Sequence, residues 1–332
     1  PAHIQLINMS RGATVAAVVY AAAKFGLADQ LASGPKTAEE VAGPTRTHAP
    51  SLYRVMRTLA SLGLFTEDAQ HRFRLTPLGE ALKTGAPGAA RSTILTLAGP
   101  TFWQGLAEFP YSVETGKPGF TKALGMPIFD YLAKHHDEAS LFSETMIGVH
   151  GDEPPAVAEA YDFSPIQVLM DVGGGSGNLL TTILGRHTGP RGILFDLPHV
   201  VEDAKPIIEA RGLSERIEIR SGSFFESIPS GADAYMFSHI IHDWSEEQCL
   251  EILENVRRVM PPNGKLLLVE MVLPQGDAFH PGKMLDMIML VGPGGQERTE
   301  QEYRELYEKA GFRLTRVVPT KSPVSVVEGV PA

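Results

Sequence analysis

One cysteine in 332 residues, Cys249, is too few for an internal disulfide or a cysteine-ligated zinc site. A reducing compartment, the cytoplasm, is the simplest expectation for such a chain. Positive charge is also short: 29 Lys and Arg stand against 39 Asp and Glu, a net charge of −10. That balance argues against a nucleic-acid partner, which needs a basic footprint. The most apolar early run, Ala13–Ala23, falls short of the roughly 20 residues a membrane-crossing helix needs, and no signal-peptide cleavage context follows it. No internal repeat, low-complexity tract or clustered His/Asp/Glu ligand set is evident, so no membrane and no metal are expected. What remains is ordinary for a globular protein: 43% hydrophobic and 20% charged residues, enough for roughly two domains of ~150 residues.

The stretch Ile166–Gly177, IQVLMDVGGGSG, organises the rest. Its apolar run ending in Asp171-Val172 and then glycines reads as a buried parallel strand, a tight turn and a helix. Gly173, Gly175 and Gly177 allow a sharp bend with no Cβ in a ligand's way, and the helix N-terminus behind them offers free N–H groups. The run is G-x-G-x-G, with Asn178 where dinucleotide enzymes place a third glycine. This favours a nucleoside ligand without a pyrophosphate. A second strand, Ile193–Phe195, ends in Asp196, about 20 residues past the loop, where a carboxylate accepts ribose hydroxyls. Asp171, Gly173, Gly175 and Asp196 form the candidate nucleotide-type site.

Residues 1–160 read as mainly helical. Thr14–Leu31 is apolar on nearly every face, as a helix buried in a core or against another chain would be. Thr37 begins a capping box, Pro50–Leu62 is an amphipathic helix, and Leu64-Phe65 with Arg72–Leu75 forms a small hairpin. Helix, helix, hairpin is a winged-helix pattern. DNA binding is disfavoured, because residues 35–85 carry seven Lys/Arg against five Asp/Glu. A structural or dimer-forming role is expected instead. Aromatic residues from Phe102-Trp103 through Phe142 and Met146 sit at helical spacing, fit either for core or for a pocket wall. The boundary is expected near 160.

From 161 to 332, strands and helices alternate. Gly192–Asp196, Arg216–Arg220, Ala234–Ser238 and Lys265–Leu273 follow the first strand, giving a doubly wound, Rossmann-like parallel sheet of the α/β class. Ligands on such sheets sit beyond the strands' carboxyl ends. Asp171, Asp196, Ser223 and Ser238 all fall there. His239-Ile-Ile-His242-Asp243-Trp244 follows the fourth strand directly, so His242 is placed to accept a proton near neutral pH. Glu297, after the Gly292–Gly295 turn, is placed to accept the imidazole's second N–H. Met284, Met287 and Met289 make an adaptable apolar wall or plain core.

These motifs resemble one family. DVGGGSG, FDLPHV at Phe195–Val200, HDW at His242–Trp244, PNGKLLLVE at Pro262–Glu270 and GGQERT at Gly294–Thr299 are together similar to the S-adenosylmethionine-dependent small-molecule O-methyltransferases of plant phenol and bacterial antibiotic-tailoring type. The winged-helix start fits that family's dimerisation domain. The resemblance implies a class I methyltransferase fold, a homodimer, S-adenosyl-L-methionine as cofactor and a hydroxylated aromatic small molecule as substrate. It implies that Gly173 and Gly175 hold the cofactor's methionine end, that Asp196 with Leu197 holds its ribose, and that Ser223 and Phe224 flank adenine with Ser238 close by. Family members often carry Asp in place of Ser223. His242 is implied as general base and Glu297 as the residue that steers it. Phe142 and Met146 line the substrate side, and Trp103, His239, Asp243 and Met289 complete the candidate substrate residues. No metal is implied.

Rival readings are a homologue that keeps the cofactor but decarboxylates or hydroxylates, an enzyme that methylates nitrogen or carbon, and a winged-helix regulator. Retention of His242 and Glu297 speaks against the first of these.

Overall fold

The computed structural model describes all 332 residues. They cluster into two compact units: residues 1–107 with 123–151, and 108–122 with 152–332.

The first unit is helical apart from one hairpin. Thr37 caps the helix Ala38–Thr45 with both halves of the capping box, its hydroxyl accepting from Glu40 N–H and Glu40 accepting from Thr37 N–H. The next helix, Ala49–Ser61, buries Leu52, Met56 and Leu59 against Leu27, Leu31 and Val41. Each such side chain contributes roughly 1.5–3 kcal/mol. Strands β1 (Phe65–Glu67) and β2 (Phe73–Leu75) pair antiparallel with Phe65 opposite Leu75. The winged-helix order is therefore present.

The N-terminus differs from the expectation of one helix over Thr14–Leu31, buried in a core or against another chain, in that the helix is broken. Helix Gly12–Lys24 stops at Phe25, Gly26 takes a left-handed φ of +59°, and a short helix Leu27–Leu31 follows. Only Ala22 and Ala23 of Gly12–Lys24 are buried. The preceding helix, Ala2–Ser10, extends the rod, so that Ala2–Lys24 makes 23 residues long and apolar enough by length and composition to cross a bilayer. That is longer than the run Ala13–Ala23. Ile4, Leu6, Ile7 and Met9 on it are exposed.

The second unit is built on strands β3 (Val168–Val172), β4 (Arg191–Asp196), β5 (Ile217–Ser221), β6 (Ala234–Ser238), β7 (Lys265–Leu273), β8 (Arg298–Thr299), β9 (Phe312–Pro319) and β10 (Val324–Pro331). Their order is β5-β4-β3-β6-β7-β10-β9, with β8 beside the end of β7. Strands β5 to β7 pair parallel, as expected. β9 and β10 run antiparallel, so the sheet is mixed, not wholly parallel. The few residues between β9 and β10 permit only an antiparallel return, since a parallel one needs a long crossover. The order reverses between β3 and β6, which opens a crevice at their carboxyl ends.

Helix Glu153–Ala160 precedes residue 160 yet belongs to this unit, because Val157, Ala158 and Tyr161 pack with Leu180, Ile183 and Leu184. Ser245 caps helix Glu246–Val259 with Gln248, as its sequence pattern requires. Its buried stripe is Cys249, Ile252, Leu253 and Val256, with Leu250 only half-buried.

A polar knot closes the opposite end of the sheet. Glu328 on β10 accepts from the Tyr161 and Thr315 hydroxyls, Arg316 and Lys265. Burial raises its carboxyl, but those four donors outweigh burial and hold it at about 2, against an ordinary 4.5. A depressed folded value stabilises above pH 4.5 and loses that stability as pH falls toward 2, a difference of about 3 kcal/mol. Glu328→Gln is therefore expected to lower the urea midpoint at pH 7. The gap to the wild type should close between pH 4.5 and 2; a gap independent of pH would contradict this account.

Candidate active site

The glycine turn and the histidine turn meet across the crevice. Gly173 has a φ of +70°, and a Cβ on it would lie 2.6 Å from Ile240 Cδ1 and 3.5 Å from the Phe224 ring. A side chain there would be strained by the backbone and would have to displace Ile240, so close do the loop after β3 and the segment after β6 lie. Gly175, at φ +55°, donates its N–H to Asp196 Oδ2 at 2.8 Å, while Leu197 N–H donates to Asp196 Oδ1 at 2.6 Å. Two N–H groups thus aim the carboxylate at the end of β4. Burial still raises the Asp196 carboxyl above its ordinary value.

Asp171 lies deeper. It is 1% exposed, and a Cβ on Gly174 would come within 2.8 Å of its carboxyl group. Its oxygens lack well-formed hydrogen bonds. Burial and the charge of Asp196 push it up to about 7, against a partial pull from the Leu180 N–H. Ser223 caps the turn after β5, its hydroxyl accepting from Phe225 N–H at 3.3 Å. Phe224 packs against Phe225 and, at 6.1 Å, Trp244. Ser238 ends β6, half-buried, and Leu197 is exposed.

His242 sits in a short turn of 3₁₀ helix, Ile241–Asp243, 5% exposed. Its Nδ1 lies 2.6 Å from Glu297 Oε1. An ionised carboxylate only accepts, so Nδ1 carries the hydrogen and Nε2 keeps the lone pair. Glu297 is itself held from behind, its N–H donating to Asp286 at 2.8 Å. Further carboxylates stand 3.6 Å away, Asp243 from Nε2 and Glu270 from Nδ1. Burial first, and then the charge of Glu297, raise Asp243 to about 6. Glu270 is pushed well above the carboxylate range by burial, Glu297 and Asp243. A proton arriving on His242 would meet stabilising negative charge on both sides.

Three residues of this cluster were not foreseen. Glu270 is fully buried on β7 and accepts from the N–H groups of Ile240 and Ile241, fixing the turn that carries His242. Arg298, 2% exposed, donates to Ile241 O and contacts Cys249 Sγ, supplying the buried cation opposite these acids. Glu153 lies 2.7 Å from His239 Nε2. A charged residue inside the apolar run LLLVEMVL was the signal for Glu270; Glu153 and Arg298 offered none in isolation. Gly295 packs so closely on the His242–Asp243 backbone that a Cβ would overlap the His242 carbonyl oxygen.

The fold also gathers His239, His242 and Glu270, whose ligand-type atoms lie within 4.8 Å of one another, where spacing along the chain suggested no such set. Met289 is buried on helix Pro281–Val291. In the first unit, Phe142 lines a cavity of about 270 Å³ with Tyr20, Phe102, Leu132 and Leu141. Trp103 and Met146, both half-buried, lie outside its wall, and the Trp103 indole N–H donates to Ala98 O at 2.9 Å.

Comparison with known proteins fits this geometry. Residues 103–313 match the O-methyltransferase domain model, and residues 7–85 match the O-methyltransferase dimerisation domain model. The chain is 42% identical over 326 residues to a phenazine O-methyltransferase of Lysobacter antibioticus, covering 98% of this chain and 95% of that one. The solved structure of the mitomycin 7-O-methyltransferase MmcR superposes with a TM-score of 0.94 at 33% identity, covering 100% and 98% of the two chains. That of NcsB1, an O-methyltransferase from neocarzinostatin biosynthesis in complex with S-adenosylmethionine and 2-hydroxy-5-methyl naphthoic acid, gives 0.86 at 31% identity and 96% of each. A likeness this even, from the helical start to the last strands, means that the chain belongs to the S-adenosylmethionine-dependent O-methyltransferase family.

Proposed function

We propose that this enzyme transfers a methyl group to a hydroxyl of an aromatic small molecule of natural-product type, with His242 as general base. The observation that carries the reading is the 2.6 Å contact between His242 Nδ1 and Glu297, at a turn touching the glycine loop.

The cradle suits the cofactor: Gly173 takes a left-handed φ where a Cβ would crowd Ile240 and Phe224, and Asp171 and Asp196, raised by burial, would be held ionised by a cationic ligand. Gly173 and Gly175 would hold the methionine end, Asp196 and Leu197 the ribose, and Ser223, Phe224 and Ser238 the adenine side. Bound there, S-adenosylmethionine supplies an electrophilic methyl group on a sulfonium. The protein's own task is the acceptor's proton. A phenol of pKa ~10 is barely ionised at pH 7, so a base at Nε2 is worth roughly 10²–10⁴-fold. Glu297 fixes the tautomer and, with Asp243, stabilises the imidazolium that forms. Met289, Asp243 and His239 belong to the acceptor's side in this reading. We further propose a homodimer, in which a second copy covers the apolar rod near Leu6 and Met9.

Three outcomes test these points. His242→Ala should keep its affinity for S-adenosylhomocysteine and lose at least ~100-fold in kcat on a phenol, but far less on an acidic nitrophenol. Equal losses on both acceptors would remove the base assignment. Gly295→Ala, which must push the His242 backbone aside, should cost kcat ~10-fold or more with cofactor affinity retained; wild-type kcat would refute the packing argument. Leu6→Asp with Met9→Asp should shift the mass measured by light scattering from dimer toward monomer. A wild-type monomer would exclude the dimer outright.

A further inference from the structure

The reaction proposed above uses the Nε2 edge of His242, and the buried side of the same segment gathers further ligand-type groups. His239 is the first residue beyond β6 and has a φ of +53°, a left-handed conformation that costs a non-glycine residue on the order of 1 kcal/mol. Its neighbours hold it there. Nε2 lies 2.7 Å from Glu153, and the His239 and His242 ring centroids are 5.1 Å apart. Glu270, with no exposed surface, spends Oε1 on two backbone N–H groups, while Oε2 has no hydrogen-bond partner and points to His242 Nδ1 at 3.6 Å.

We propose that His239, His242 and Glu270 form a Zn²⁺ site, and that its occupation inhibits the enzyme by taking His242. The three donor atoms, mutually within 4.8 Å, are the two imidazoles and one carboxylate that suit Zn²⁺. Nitrogen donors favour zinc over Mg²⁺ or Ca²⁺, which prefer oxygen. Glu153 on His239 Nε2 is the kind of carboxylate partner that orients a metal-binding histidine, whereas His242 would meet the ion through Nδ1, the nitrogen facing Glu270, so that its hydrogen moves to Nε2 and that edge no longer accepts a proton. Three further carboxylates, Glu153, Asp243 and Glu297, surround the cluster, with Arg298 as the buried fixed cation beside them. A dication balances that charge, and the buried Oε2 of Glu270 gains a partner. The inhibitory half rests on His242 being the base; the binding half does not.

The test uses the full chain, stripped with a chelator, desalted and titrated with zinc sulfate against a chromophoric competitor. One Zn²⁺ per chain with micromolar or tighter affinity is expected, and no binding of Mg²⁺ at millimolar concentration. Glu270→Gln and His239→Asn, the latter tolerant of the left-handed backbone, should each weaken zinc at least ~10-fold. His136→Asn, on an exposed helix start, should not. Retained affinity for S-adenosylhomocysteine certifies that each variant is folded. Absence of stoichiometric zinc, or zinc affinity unchanged in both variants, overturns the site while leaving the His242→Ala result to stand or fall alone. Turnover should drop in proportion to bound zinc. Zinc bound without inhibition upholds the site and overturns His242 as the base.

Discussion

The second unit depends on burying several carboxylates around one imidazole without leaving them uncompensated. Glu297 and Glu270 are almost wholly out of water and close to His242. An isolated buried charge is costly, so such a cluster persists only where hydrogen bonds and counter-charge meet it. Backbone N–H groups of Ile240 and Ile241 on Glu270, the His242 Nδ1–H on Glu297 and the nearby Arg298 guanidinium supply that. The same contacts fix the turn that carries the imidazole, so holding the charges and aiming the proposed base are one arrangement.

The two ends of the sheet treat carboxylates in opposite ways. At the far end, Glu328 has two hydroxyls and two cations and is held at about 2. At the crevice, Asp171 stands at about 7, Asp243 at about 6, and Glu270 well above the usual range, because burial outruns their partners. The far end is settled and serves stability. The crevice keeps carboxyls that burial makes hard to ionise and whose charge a bound cation would stabilise, which is how a site prepared for a cation differs from a structural salt bridge. A sulfonium, an imidazolium and a divalent ion are all cations of the kind this charge favours.

Much of the architecture was legible. Capping boxes at Thr37 and Ser245, the hairpin around Phe65 and Phe73, and the strands from β3 to β7 follow from patterns local to each segment. The reading of one helix over Thr14–Leu31 missed the break at Phe25-Gly26, where a left-handed glycine turns the chain, and composition alone did not decide between a core and another chain as the cover for its apolar faces. The antiparallel β9 and β10 were missed because charged residues interrupt β9 (FRLTRVVP) and Glu328-Gly329 interrupt β10, which weakens the apolar pattern relative to a buried parallel strand.

Sequence alone determined the family, through motifs whose glycines, acids and histidine lie at strand ends, since chain order and hydrophobic period fix which residues end a strand. It also singled out His242 and Glu297, although 55 positions separate them. Only the tertiary structure decided which charges share one buried space: that Glu153 reaches His239, that Glu270 stands beneath the turn, and that Arg298 faces them. Electrostatic energy depends on distance through space and on exclusion of water, and neither quantity is written in the spacing of residues along a chain.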